Sequence, residues 1–210
     1  MSHPHGGQPV LHAGLPLADA RAAVIMIHGR NASARNILDL VPLLDRPDRA
    51  YLAPAAANNT WYPLSFLAEI QQNEPFLSSA LQRVDELVAE VVKSGIDRAR
   101  IVILGFSQGA CLASEFVYRH PSKYGGLVAF SGGLIGPPGT RFDAPGDFAR
   151  TPMFFGCSDV DAHVPKARVD ESAAALSRMG AAVTERIYPG MGHLISEDEI
   201  LHARAVLDGL

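Results

Sequence analysis

The chain has 210 residues, the upper end of a single domain, and folding at that size removes roughly 70% of the unfolded surface from water. Hydrophobic residues make up 48% and charged residues 19%, which excludes a disordered chain or a coiled coil. The formal charge is −4 with no long basic run, so nucleic acid is not an expected partner.

Residues 1–7 have neither the charged start nor the apolar run of a signal peptide. No stretch reaches the ~18 consecutive apolar residues of a membrane span. The expectation is a soluble, cytoplasmic protein of one domain over residues 1–210. Cys111 and Cys157 are the two cysteines, without metal-ligand spacing, and are expected as free thiols in a reducing compartment. No metal or organic cofactor is expected.

In chain order, Val10-Leu11-His12 suggests an antiparallel edge strand. Residues 22–27 are apolar at every position and stop at His28-Gly29, and a weaker strand at 50–53 precedes Pro54. Residues 74–94 place Leu77, Leu81, Val84, Leu87, Val88 and Val91 at spacings of three and four, a helix closed by Gly95. A strand at 101–104 leads into Gly105, and a helix over 107–119 stops at His120-Pro121. Strands at 127–130 and 153–155 follow, then a helix over 165–179, a strand at 183–188 and a last helix opened by Ser196. Short apolar runs without polar alternation suit strands buried on both faces. Their alternation with helices predicts an α/β fold, a mostly parallel sheet with helices on both faces and no separate cap domain. Residues 58–73 and 136–150 fit no regular element. Loops of that length in a compact domain are commonly functional, and 58–73 is a candidate lid.

Gly105-Phe106-Ser107-Gln108-Gly109 matches G-x-S-x-G at a strand-to-helix junction. That turn strains the serine backbone and lifts its hydroxyl above the sheet, while the flanking glycines remove Cβ atoms that would collide. The alternative is a glycine-lined turn in which Ser107 caps the helix. A serine nucleophile needs a base. His3, His5 and His12 fall in a terminus expected to fray or form an edge, His120 at a helix stop and His202 within the last helix. His28, His163 and His193 remain, and His193 lies in a glycine loop between the last strand and the last helix. Asp159 and Asp161 both follow the strand at 153–155, and spacing does not choose between them. The order serine, acid, histidine is that of α/β-hydrolases.

With His28-Gly29-Arg30, Gly105-Phe106-Ser107-Gln108-Gly109-Ala110, Asp161-Ala162-His163-Val164-Pro165 and Gly192-His193, the chain resembles the phospholipase/carboxylesterase family. These are small α/β-hydrolases that include acyl-protein thioesterases. Asn59-Thr60-Trp61-Tyr62-Pro63 and Asn73-Glu74-Pro75 resemble a bacterial carboxylesterase branch of it. The resemblance implies that Asp161, leading the D-x-x-V-P pattern, is the triad acid with Ser107 and His193. It also implies an oxyanion hole of the Arg30 and Gln108 backbone N–H groups, with His28 bracing that loop. Gly156-Cys157-Ser158 departs from the family's usual His-Gly turn.

The function expected is hydrolysis of short- to medium-chain acyl esters through an acyl-serine. Acyl-protein thioesterase or lysophospholipase activity and a dienelactone-type lactonase are alternatives, although the latter normally presents cysteine where this chain has Ser107. A binding protein on a hydrolase fold is the non-enzymatic reading. Trp61, Tyr62 and Phe66, with Phe76 nearby, are candidates to wall an acyl pocket. Cys111, one turn after Ser107, is read as packing, and His163 as a surface residue beside the cleft.

Overall fold

The computed structural model describes residues 3–44 and 46–210; Met1 and Ser2, part of the leader reading, lie outside the described residues. The strands are β1 (Val10–Gly14), β2 (Ala22–Ile27), β3 (Arg49–Pro54), β4 (Ile101–Phe106), β5 (Gly126–Phe130), β6 (Pro152–Ser158) and β7 (Ala182–Tyr188). They form one sheet in the order β1-β3-β2-β4-β5-β6-β7. β1 runs antiparallel to β3 and every other pair is parallel. The helices are α1 (Ala34–Leu38), α2 (Val41–Leu44), α3 (Phe76–Lys93), α4 (Gln108–Arg119), α5 (Lys166–Arg178) and α6 (Glu197–Asp208).

β2 shows why the strands read as unbroken apolar runs. Its Ala23, Ile25 and Ile27 belong to the core shared with α3, α4 and α5, while Val24 and Met26 pack with α1, α2 and α6. Both faces of the sheet are therefore covered, as a parallel sheet requires. β7 is an edge strand and alternates between exposed and half-buried positions. On α3 the six apolar positions noted above are all buried; each such side chain contributes about 1.5–3 kcal/mol when fully removed from water. Ser196 caps α6 by a capping box with Glu199, which fixes where the chain re-enters helix after the His193 loop.

Three features differ from the sequence expectation. α1 and α2 have only five and four residues, too few to show a helical period. The amino-terminal segment does not fray at His5. That ring is fully buried, accepts from the Ala57 N–H through Nδ1 at 3.1 Å and donates from Nε2 to the Trp61 carbonyl at 2.9 Å. Burial pushes the His5 pKa below its ordinary value, which keeps it neutral for that pair of bonds. Within the irregular stretches, short 3-10 turns occupy Ala57–Asn59 and Ile70–Asn73. Residues 136–150 hold no helix or strand, and the buried Arg168 guanidinium ties their start to α5 through the Leu134, Gly136 and Pro137 carbonyls. Among the described residues, no helix is long and apolar enough to cross a membrane.

The carboxyl ends of β2, β4, β6 and β7 all open onto one edge of the sheet. Open α/β sheets bind their ligands at that edge.

Candidate active site

β4 delivers Ser107 to that edge in a backbone conformation that L-residues seldom adopt, φ 56° and ψ −121°. The Ser107 N–H donates to the Phe130 carbonyl at 2.9 Å, which pins the turn to β5. A Cβ on Gly105 would collide with the Gly109 carbonyl, and one on Gly109 with the Ile27 carbonyl at the end of β2. The second contact matters most, because it lets the first turn of α4 lie directly against the loop after β2. Gly109→Ala is therefore expected to cost about 2–3 kcal/mol by overpacking, read from urea unfolding, and to lower activity with it. Ser107 stands at the helix N-cap position but makes no side-chain capping bond. Its hydroxyl is directed elsewhere.

Ser107 Oγ lies 2.9 Å from His193 Nε2, and His193 Nδ1 lies 2.7 Å from Asp161 Oδ2. The pattern assigns the imidazole proton to Nδ1, donating to the carboxylate, and leaves Nε2 to accept from the serine hydroxyl. The other Asp161 oxygen, Oδ1, accepts the His163 and Val164 N–H groups at 2.8 and 2.9 Å. Burial favours the neutral Asp161 carboxyl, but the bonds from His193, His163 and Val164 outweigh it and hold the pKa below the ordinary carboxylate value. Its carboxylate is closed to solvent, so a fixed negative charge sits behind the imidazole.

The neighbouring Asp159 has a different task. Its Oδ1 accepts the Gly190 N–H at 2.8 Å, and Ser158 Oγ accepts the Gly192 N–H at 3.1 Å. Together these bonds hold the loop that carries His193. Ser158 in this role was not foreseen from the sequence, and nothing in its spacing distinguishes it from any serine at a strand end. The Phe106 ring lies 4.9 Å from the imidazole and the His163 ring 4.8 Å, edge-on.

Arg30 and Gln108, whose backbone N–H groups are the candidate oxyanion donors, line the same cavity as Ser107. Neither N–H group has a hydrogen-bond acceptor among the described residues. His28 is 1% exposed, and among the described residues the hydrogen bonds of its ring go to the loop backbone rather than to the serine or its base. Its Nε2 accepts the Ala56 N–H at 3.2 Å and its Nδ1–H donates to the Gly29 carbonyl at 2.7 Å. Burial pushes its pKa down, in keeping with a neutral ring that holds the loop after β2.

A cavity of about 510 Å³ opens over Ser107, with Tyr62, Leu64, Phe66, Phe106, Val164 and His163 among its walls. Tyr62 and Phe66 line this cavity, whereas Trp61 does not: its side chain is fully buried, and its indole N–H donates to the His28 carbonyl at 2.9 Å. A run of aromatics shows that a loop is anchored, but not which rings face inward. Phe76 likewise packs against His5, 6.1 Å between ring centroids. Cys111 is buried as expected of a packing residue, with its thiol pushed up to about 12 by burial, and it also touches the cavity. His163 lines the cavity mouth.

The model of the phospholipase/carboxylesterase family matches residues 16–209. Among solved structures, the phospholipase/carboxylesterase from Dyadobacter fermentans superposes with a TM-score of 0.92 at 45% identity, covering 96% of each chain. A probable carboxylesterase of Oryza sativa subsp. japonica is 28% identical over 137 residues, 65% of this chain and 58% of that protein. Acyl-protein thioesterase 1 of Saccharomyces cerevisiae is 31% identical over 131 residues, 61% of this chain and 57% of that protein. The chain thus matches little more than half the length of these two relatives.

Proposed function

Since the chain belongs to the phospholipase/carboxylesterase family, we propose that it is a serine esterase acting on short- to medium-chain acyl esters through Ser107, His193 and Asp161. The observation that carries this reading is the unbroken relay of two hydrogen bonds, 2.9 and 2.7 Å, from serine through imidazole to a buried carboxylate. His193 Nε2 takes the Ser107 proton as Oγ adds to the ester carbonyl, and Asp161 stabilises the imidazolium that forms. The carbonyl oxygen becomes an oxyanion between the Arg30 and Gln108 N–H groups, whose lack of other acceptors suits them to it. Collapse expels the alcohol, or a thiol from a thioester, with the proton returned by His193. Water activated by the same imidazole then adds to the acyl-serine and releases the acid and the free hydroxyl.

The cavity supports small acyl groups. About 510 Å³ lies within the usual range for small-molecule sites and must hold the leaving group too. Both thiols are free and buried, which fits a reducing compartment such as the cytoplasm. The test is a p-nitrophenyl ester series from acetate to palmitate, run beside a palmitoyl-thioester peptide. The expected kcat/KM peaks at about four to eight acyl carbons and falls at least about tenfold by palmitate. A profile that climbs to palmitate, with the thioester peptide preferred, would replace this reading by the acyl-protein thioesterase one, the activity that names the yeast relative.

A further inference from the structure

The two proposed oxyanion donors, Arg30 and Gln108, are far apart in sequence, yet their side chains converge on one short segment. Gln108 is 6% exposed; its Oε1 accepts the Trp61 N–H at 2.9 Å and its Nε2 donates to the Tyr62 carbonyl at 2.8 Å. The Arg30 guanidinium donates from Nη1 to the Pro63 carbonyl at 2.7 Å and from Nη2 to the Leu64 carbonyl at 2.5 Å. Four consecutive residues, 61–64, thus each give one main-chain atom to a side chain of a proposed oxyanion donor.

The same segment is also held by Asn73. Asn73, fully buried, accepts the Leu64 N–H through Oδ1 at 2.8 Å and donates from Nδ2 to the Ser65 carbonyl at 3.0 Å. Tyr62, Pro63 and Leu64 also line the cavity, whereas Asn73 does not. The strap is therefore a wall of the substrate cleft and a common anchor for both donors.

We propose that the side chains of Arg30 and Gln108, together with Asn73, are positioning residues that set the two oxyanion N–H groups through the 61–64 strap. The proposal rests on the serine-esterase reading and adds to it a structural source of oxyanion-hole geometry. Donors fixed before reaction lose no energy to reorganisation, and displacement of a donor by a fraction of an ångström weakens its bond to a developing charge. Because main-chain atoms are gripped, the strap's position is held independently of the side chains it shows to the acyl group. Acyl selectivity can then vary at Leu64 without disturbing the donors.

The test compares turnover with affinity for an aryl trifluoromethyl ketone, which Ser107 would convert to a tetrahedral oxyanion. Asn73→Ala and Arg30→Met are each expected to lower kcat on a short p-nitrophenyl ester about tenfold and to raise the ketone Ki by the same factor. KM should stay within about twofold. Arg30→Lys, which keeps one donor to the strap, should recover part of both losses. Should Asn73→Ala fail to fold, Asn73→Asp keeps the acceptor for Leu64 and removes the donor to Ser65, while Arg30 is exposed and carries the test without that risk. A fall in kcat with unchanged ketone affinity, or no change in either, would overturn the strap's role in a wild-type enzyme that remains an active esterase. Wild-type protein that neither hydrolyses esters nor binds the ketone would instead overturn the underlying reading, and the strap's role with it.

Discussion

Ser107→Ala protein is expected to hydrolyse a short p-nitrophenyl ester about 10⁶-fold more slowly than wild type, with KM little changed. The size of the effect follows from what the substitution removes. The hydroxyl at 2.9 Å is the group that His193 Nε2 faces, so its loss leaves the base with no nucleophile to activate. The proposed oxyanion donors, the Arg30 and Gln108 N–H groups, and the cavity remain, so catalysis of about 10³–10⁴ over water is expected to survive through them. Because Ser107 makes no capping bond, its hydroxyl adds nothing to α4, and the urea midpoint should stay near that of wild type. Steady-state rates on protein purified free of host esterases check the prediction; a wild-type rate contradicts it.

Asp161→Asn is expected to lower kcat about 10⁴-fold. Asparagine fits the same space, but the His163 and Val164 N–H groups both need an acceptor where Oδ1 now sits. The amide oxygen takes that place, which turns the NH₂ group toward His193 Nδ1. A donor there drives the imidazole proton to Nε2, where it opposes the serine hydroxyl instead of accepting from it. The same substitution carries a stability signature. Asp161 titrates below its ordinary 3.8 in the folded protein. Its ionised form therefore stabilises the fold above the unfolded-state pKa, and this contribution disappears as pH falls through the folded-state value. Urea midpoints from pH 5 downward should fall less steeply for Asp161→Asn than for wild type.

The sheet was legible because burial on both faces writes itself into composition. β2 and β4 read as apolar runs, and the elbow glycines mark where β4 must turn. β1 was legible only from Val10-Leu11-His12, and its pairing with β3 completes the sheet. α1 and α2 were not legible, since one turn of helix has no period. His5 reads from sequence as a residue near a loose end. Its burial depends on Ser79 and Trp61, more than fifty residues away, and no local pattern carries that information.

The site divides in the same way. Order and spacing bring Ser107 and His193 to one edge, but Asp159 and Asp161 differ by two residues in one loop. What separates them is that Asp161 accepts the amides two and three residues ahead, an Asx-type turn that directs its second oxygen to His193. Asp159, with no such turn, reaches Gly190 instead. The strap over 61–64 was invisible in sequence because its bonds use main-chain atoms, which every residue possesses.

Ser107 is proposed above all as a nucleophile activated by His193. Incubation with a tagged fluorophosphonate followed by peptide mapping tests it most directly, since phosphonylation needs an activated hydroxyl beside an oxyanion hole. A single adduct on Ser107, lost in His193→Ala protein, is the predicted result. No adduct, or one on another residue while Ser107 remains free, would contradict it.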